Sequence, residues 1–160
     1  MSPEHQALIA RIRASADAVR RATEGVPAGR DGHSPRDAEW SVREALVHLR
    51  NTVVMVHGLR IRRLLCETEP LFADYDEPAH RQEAMGAGEP AGELVEAIVA
   101  EHAQIVRMLR GLPADRWQRQ GRHPELGVMS IEFLARRVAE HAEEHAGQIA
   151  ATVKALSAGR

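Results

Sequence analysis

Cysteine, lysine and aromatic side chains are nearly missing from this chain, and each shortage closes off a class of protein. A single cysteine, Cys66, cannot build a disulfide framework; it sets aside small stapled secreted domains and suits a reducing cytoplasm. Lys154 is the only lysine among 21 basic residues. With 23 acidic residues the formal net charge is −2, so no basic domain offers a footprint for nucleic acid. Aromatic residues make up 3% of the sequence, and a core must therefore be assembled from aliphatic side chains, as helical bundles allow. No apolar run is long enough to cross a bilayer, and the opening Ser2-Pro3-Glu4-His5 is not a signal region. A cytoplasmic protein with no membrane partner is the expectation. Nowhere do β-branched residues alternate over a usable length, so no strand competes with helix.

What is present is punctuation for four helices. The first is predicted from about Pro3 to Glu24, with Ser2 as N-cap and Gly25 and Pro27 as the stop. The second starts at Ser41, where Ser41-Val42-Arg43-Glu44 reads as a capping box, and continues to Leu65 or Cys66. The third begins near Pro90, places Leu94, Ile98, Ile105 and Leu109 on one side, and stops at Gly111 and Pro113. The fourth runs from Ser130 almost to the end of the chain. The fold class is all-α, a four-helix bundle, and 160 residues suit one domain spanning 1–160. Gly25 to Glu39 reads as a polar linker. Glu67 to Gly88 is a loop long enough to run the length of a helix, so a crossover is open to it beside an ordinary reversal. Phe72 and Tyr75 are expected to pin that loop to the bundle rather than form a lid.

Against this aliphatic plan the fourth helix carries two exceptions. His141 and His145 are four residues apart, one turn along one face, and Ile131, Leu134, Val138, Ile149 and Leu156 share that face. Burying such rings without partners costs about 1–3 kcal/mol per group, so they call for hydrogen-bond acceptors or a shared metal ion. Among the other histidines, His48 lies at the edge of the second helix's apolar side and can face the core. His57, nine residues on, is half a turn out of phase with it, so the two are not expected at one site. His102, between Ile98 and Ile105, competes as a third ligand. His5, His33, His80 and His123 fall at a terminus or in loops.

These residues carry a family resemblance. Trp40-Ser41-Val42-Arg43-Glu44-Ala45-Leu46-Val47-His48-Leu49 resembles the opening of the second helix in DinB-like proteins. Gly121-Arg122-His123-Pro124-Glu125-Leu126-Gly127 and His141-Ala142-Glu143-Glu144-His145-Ala146-Gly147-Gln148-Ile149 resemble that family's turn and final helix. The resemblance implies up-down-down-up topology with a long crossover between helices 2 and 3, and a divalent metal held by His48, His141 and His145. Three imidazoles match the ligand set of an open, catalytic site. Zinc or nickel leads, and iron or cobalt is chemically acceptable. His141-Ala142-Glu143-Glu144-His145 also matches a zinc-peptidase pattern, but no Asp or Glu follows His145 to complete it. Glu143 and Glu144 therefore read as solvated helix charges, with a water or a ring nitrogen open to Glu144; Gln148, one turn after His145, reads either as a partner behind the site or, more commonly, as a residue bonding a neighbouring helix.

Two functions are open. The resemblance implies a metal-dependent transferase that activates a low-molecular-weight thiol for attack on a small-molecule electrophile, with Arg50, Arg60, Arg62 and Arg63 as candidate holders of an anionic thiol. The alternative is a non-catalytic metal-binding stress-response or interaction module. Ile9, Val95, Val99 and Val106 exceed one apolar stripe, which predicts a homodimer.

Overall fold

The computed structural model describes residues 1–36 and 39–158; residues 37–38 of the polar linker and the last two residues lie outside that description. The four rods expected from the sequence are present. Helix α1 spans Pro3–Thr23, and its N-cap Ser2 accepts from the His5 N–H. Helix α2, Val42–Asn51, opens on a complete capping box: the Ser41 hydroxyl accepts from the Glu44 N–H at 3.2 Å and the Glu44 carboxylate accepts from the Ser41 N–H at 2.8 Å. It continues without a break through a π-helical segment, Thr52–Gly58, into α3, Leu59–Cys66. The fourth and fifth helices, α4 and α5, span Glu77–Ala87 and Ala91–Arg110, and the sixth, α6, Ile131–Ala158.

Contacts between helices show the directions of the rods. His5 lies near Glu132, Arg11 pairs with Glu143 and Gly25 meets Val153, so α1 and α6 run parallel. Arg50 pairs with Glu89 at the head of α5 and Arg62 with Glu101 inside it, so the α2–α3 rod and α5 are parallel too. Arg20 reaches Glu96 while His5 stacks on Trp117 beyond the end of α5, an antiparallel arrangement of α1 and α5. His48 meets His145 and Arg60 meets Met129, which makes the α2–α3 rod antiparallel to α6. The bundle is up-down-down-up, and the crossover between the second and third rods is real.

That crossover is not only loop. Asp76 caps α4, Pro78 sits in its first turn and Gly88, at φ 69°, ends it, so the expectation of a structureless Glu67–Gly88 segment is corrected. The expectation of no strand is corrected as well: β1, Gln120–His123, pairs antiparallel with β2, Gly127–Ser130. The Phe72 N–H donates to the Arg122 carbonyl at 2.8 Å and the Arg122 N–H to that of Pro70 at 2.9 Å, tying the crossover to the hairpin. Phe72 is buried beneath them and pins the segment as expected. His123, expected in a loop, belongs to β1; its Nδ1 accepts from the Glu125 and Leu126 N–H groups at 3.2 Å. His80 lies in α4 and His5 in the first turn of α1.

Two aliphatic clusters fill the bundle. One gathers Leu8, Ile12, Ile61, Leu64, Ile105, Leu109, Ile131 and Leu134 around Trp117 and Phe72; the other gathers Val19, Leu46, Leu49, Leu94, Ile98 and Ile149. Each such buried side chain contributes about 1.5–3 kcal/mol. The boundary falls between Ile98 and Ile105 on α5 and between Ala139 and Ala142 on α6, so His102 and His141 occupy a polar layer between the clusters. Ile9, Val95 and Val106 are buried inside the protomer and Val99 packs on the second cluster, which removes the ground on which a homodimer was expected.

Candidate metal centre

The spacing of His141 and His145 on α6 does what helical geometry dictates: their rings stand 4.6 Å apart, edge to face. His48 enters from α2. Its Nε2 lies 3.1 Å from the Nε2 of His141, which lies 3.1 Å from that of His145. A ligand nitrogen from each of the three falls within 4.8 Å of the others. The structure thus brings together all three residues named from the sequence. It leaves His102 out: the His102 Nδ1 bonds the Ile98 carbonyl of its own helix at 2.8 Å, so this rival ligand is a core histidine.

Partners on the far side of the rings set the tautomers. The His48 Nδ1–H donates to Glu77 Oε1 at 2.7 Å and the His145 Nδ1–H to Gln148 Oε1 at 2.7 Å. Each bond leaves an Nε2 lone pair aimed at the common centre, the arrangement by which outer partners orient metal-binding histidines. Burial, reinforced by the neighbouring imidazoles His145, His57 and His48, pushes His141 down to about 2. Burial also lowers His145, with Gln148 opposing it. Both shifts favour the neutral, lone-pair form of His141 and His145. Converging lone pairs at this separation cannot all satisfy one another, because a proton on His141 Nε2 serves one neighbour at a time. A divalent cation accepted by all three resolves the conflict, so the donor set fits the metal.

Sequence reasoning missed Glu77 and left Gln148 between two roles, favouring the other one. Glu77 was hidden in a stretch read as loop, although Asp76-Glu77-Pro78 is a legible helix start. Gln148 bonds His145 on its own helix rather than a neighbouring one. Arg81, one turn beyond Glu77, stands 3.2 Å from its carboxylate and lies over the Trp40 ring at 4.6 Å. Trp40 in turn stacks parallel to His145 at 6.1 Å and walls one side of the site. Beside it a cleft of about 630 Å³ is lined by Pro35, Arg36, Trp40, His145, Gln148 and Thr152, among others. That volume falls in the range of small-molecule sites, roughly 300–1,000 Å³.

The remaining candidates are occupied elsewhere. Arg50, Arg62 and Arg63 pair with Glu89, Glu101 and Glu67, and Arg60 is buried against Met129 and the Ala73 carbonyl. None of the four lines the cleft beside the triad. Glu143 pairs with Arg11 and Glu144 faces Arg137 at 3.6 Å, as solvated helix charges do, so neither serves the centre as a peptidase-type carboxylate.

His57 overturns its expectation. Its ring lies 5.6 Å from that of His141, edge to face. The π-helical turns of Thr52–Gly58 close i→i+5 rather than i→i+4, so each residue advances by less than the α-helical 100° and His57 comes round toward the side of His48. Burial lowers His57 to about 4, with Arg137 and Arg60 adding to the effect.

Comparison with known proteins agrees with this architecture. The sequence pattern of the DinB superfamily matches residues 7–149. A protein of Oceanobacillus iheyensis, provisionally named a metal-dependent hydrolase, is 27% identical over 121 residues, covering 76% of this chain and 69% of that protein. The solved structure of YfiT from Bacillus subtilis, described as a probable metal-dependent hydrolase with an unusual four-helix bundle topology, superposes with a TM-score of 0.86. It is 20% identical, and the match covers 98% of this chain and 90% of that one.

Proposed function

The chain belongs to the DinB superfamily, and from that premise we propose that it is a metal-dependent enzyme whose triad His48, His141 and His145 activates a small nucleophile against a small electrophile. The observation that carries this reading is the pair of outer bonds, His48 to Glu77 and His145 to Gln148, which turn both Nε2 lone pairs inward. A divalent cation, zinc or nickel before iron or cobalt, supplies a Lewis acid that keeps the nucleophile deprotonated at neutral pH. Glu77 balances charge behind His48, Gln148 holds the His145 ring parallel to that of Trp40, and the cleft beside His145 gives the electrophile a place to lie.

We read the nucleophile as a low-molecular-weight thiol, which a free pKa near 8.5 leaves only a few per cent ionised at neutral pH. Such a cosubstrate belongs to the cytoplasm. A second reading, water as nucleophile, is favoured by the hydrolase descriptions of the two relatives. One experiment separates them. Metal-loaded and metal-free protein are given a panel of electrophiles with and without thiols, and product is followed by mass spectrometry. A thiol adduct formed only by loaded protein is the expected result, with the largest gain below the thiol's own pKa. Thiol-independent hydrolysis would transfer the reading to water, and no rate with either would leave a non-catalytic metal-binding module.

We also propose self-association, on a different surface from the buried valines. Leu71, Leu126 and Val128 are 62%, 66% and 51% exposed on and beside the hairpin. Light scattering at high micromolar concentration is expected to give a dimer that Val128→Asp dissociates; a monomeric parent protein would end this proposal.

A further inference from the structure

Of the three metal-facing histidines, two have their Nδ1 atoms held and one does not. Glu77 accepts a hydrogen bond from the Nδ1–H of His48 and Gln148 one from that of His145, whereas the Nδ1 of His141 is buried and has no hydrogen-bond partner. Outer partners of this kind are a regular part of metal sites, and a ligand histidine whose N–H is buried against nothing carries the cost of a stranded donor. The missing acceptor has a candidate. His57 is the imidazole in edge-to-face contact with His141, and its own Nδ1 is likewise buried and unpartnered. Two stranded polar atoms, each of a kind that can satisfy the other, sit on adjoining rings. His57 is brought there by a π-helical segment, a rare interruption found mostly at functional sites.

We propose that His57 is a positioning residue for the metal centre: in the loaded protein its Nδ1 lone pair accepts the His141 Nδ1–H, directly or through one water, and so completes the outer partners of the triad. His57 does not ligate; its contribution is to hold the His141 ring with Nε2 turned to the metal. Among the described residues, His102 also has a buried, unpartnered atom, its Nε2, but it is His57 whose ring meets that of His141, and Arg137 is a donor committed to Glu140 and Glu144.

The inference rests on the triad holding a metal, and the test separates the two. Zinc affinity is measured by competition with a chromophoric chelator for the parent protein, His57→Leu and His57→Asn, with apo-state circular dichroism and melting recorded for each. Loss of an outer partner typically weakens metal binding by about 10–100-fold. His57→Leu is expected to fall in that range with an unchanged apo fold, and His57→Asn, whose side-chain oxygen can stand where Nδ1 stands, to recover most of it. Nitrogen-detected NMR of the zinc-loaded protein adds a signature that mere packing would not move: the His141 Nδ1–H signal is protected in the parent and lost to exchange in His57→Leu, while those of His48 and His145 persist. Zinc bound by His57→Leu as tightly as by the parent, or no rescue by His57→Asn, would overturn the role of His57 and leave the triad standing. A parent protein that binds no zinc would overturn both.

Discussion

Replacing His141 with alanine is expected to take purified protein from close to one divalent metal ion per chain to none, as read by elemental analysis. His141 is the middle member of the triad, with an Nε2 contact of 3.1 Å to each of the other two, and removing it leaves two nitrogens on opposite helices with no shared third ligand. The fold should survive. Alanine is a better helix former than histidine, and the substitution deletes a buried ring whose Nδ1 lacks a partner. Far-ultraviolet circular dichroism therefore stays near that of the parent while the metal is lost. His102→Ala is the control: its ring is bonded to Ile98, so the metal stays. Stoichiometric metal retained in the His141→Ala protein would sink the triad.

A second large effect is expected at Gly58, the last residue of the π-helical segment. A Cβ there would stand 2.2 Å from Glu101 Oε1, 2.7 Å from the Val53 carbonyl oxygen and 2.8 Å from an Arg62 guanidinium nitrogen. One of these obstacles is backbone and the other two form an ion pair 2.7 Å long, so there is no cheap direction in which to yield. Forcing a methyl group into a packed position costs about 1–3 kcal/mol, and here the upper half of that range is expected for Gly58→Ala. Each kcal/mol lowers the melting temperature of a chain this size by about 2–4 °C, giving a drop of roughly 4–12 °C in a thermal melt. Because His57 is the neighbouring residue, zinc affinity should weaken as well. A variant melting within a degree of the parent would show that the close approach at Gly58 does not constrain the fold.

These two positions differ in how far they can be read from the sequence. The pair His141 and His145 was legible in local spacing, four positions apart on one helix, whereas spacing alone left His48 and His102 as rival third ligands and the family resemblance pointed to His48. The four rods were legible for the same reason, since Ser2, Ser41 and Gly111 mark their ends. The π-helical segment was not. Nothing in Thr52-Val53-Val54-Met55-Val56-His57-Gly58 departs from an ordinary helical pattern, and the close approach of Glu101 and its partner Arg62 to Gly58 is made by residues far apart in the chain. With the phase unknown, His57 was placed half a turn from where it lies. The hairpin was illegible because its strands are four residues each and are steadied by Phe72 and Pro70 from the crossover. Helix α4 is a different case. Its cap, its early proline and its terminal glycine are all local signals, but it buries no side chain, so no apolar periodicity announced it.

The separation of the ligands along the chain has a consequence for biosynthesis. His48 precedes His141 by 93 residues, an interval that translation at roughly 5–20 residues per second takes about 5–20 s to cover. During that time His48 is present without either of its triad partners. On the proposed metal role, a complete ligand set forms only when α6 lies down antiparallel to α2, the event that closes the bundle, so metal capture would report a closed fold.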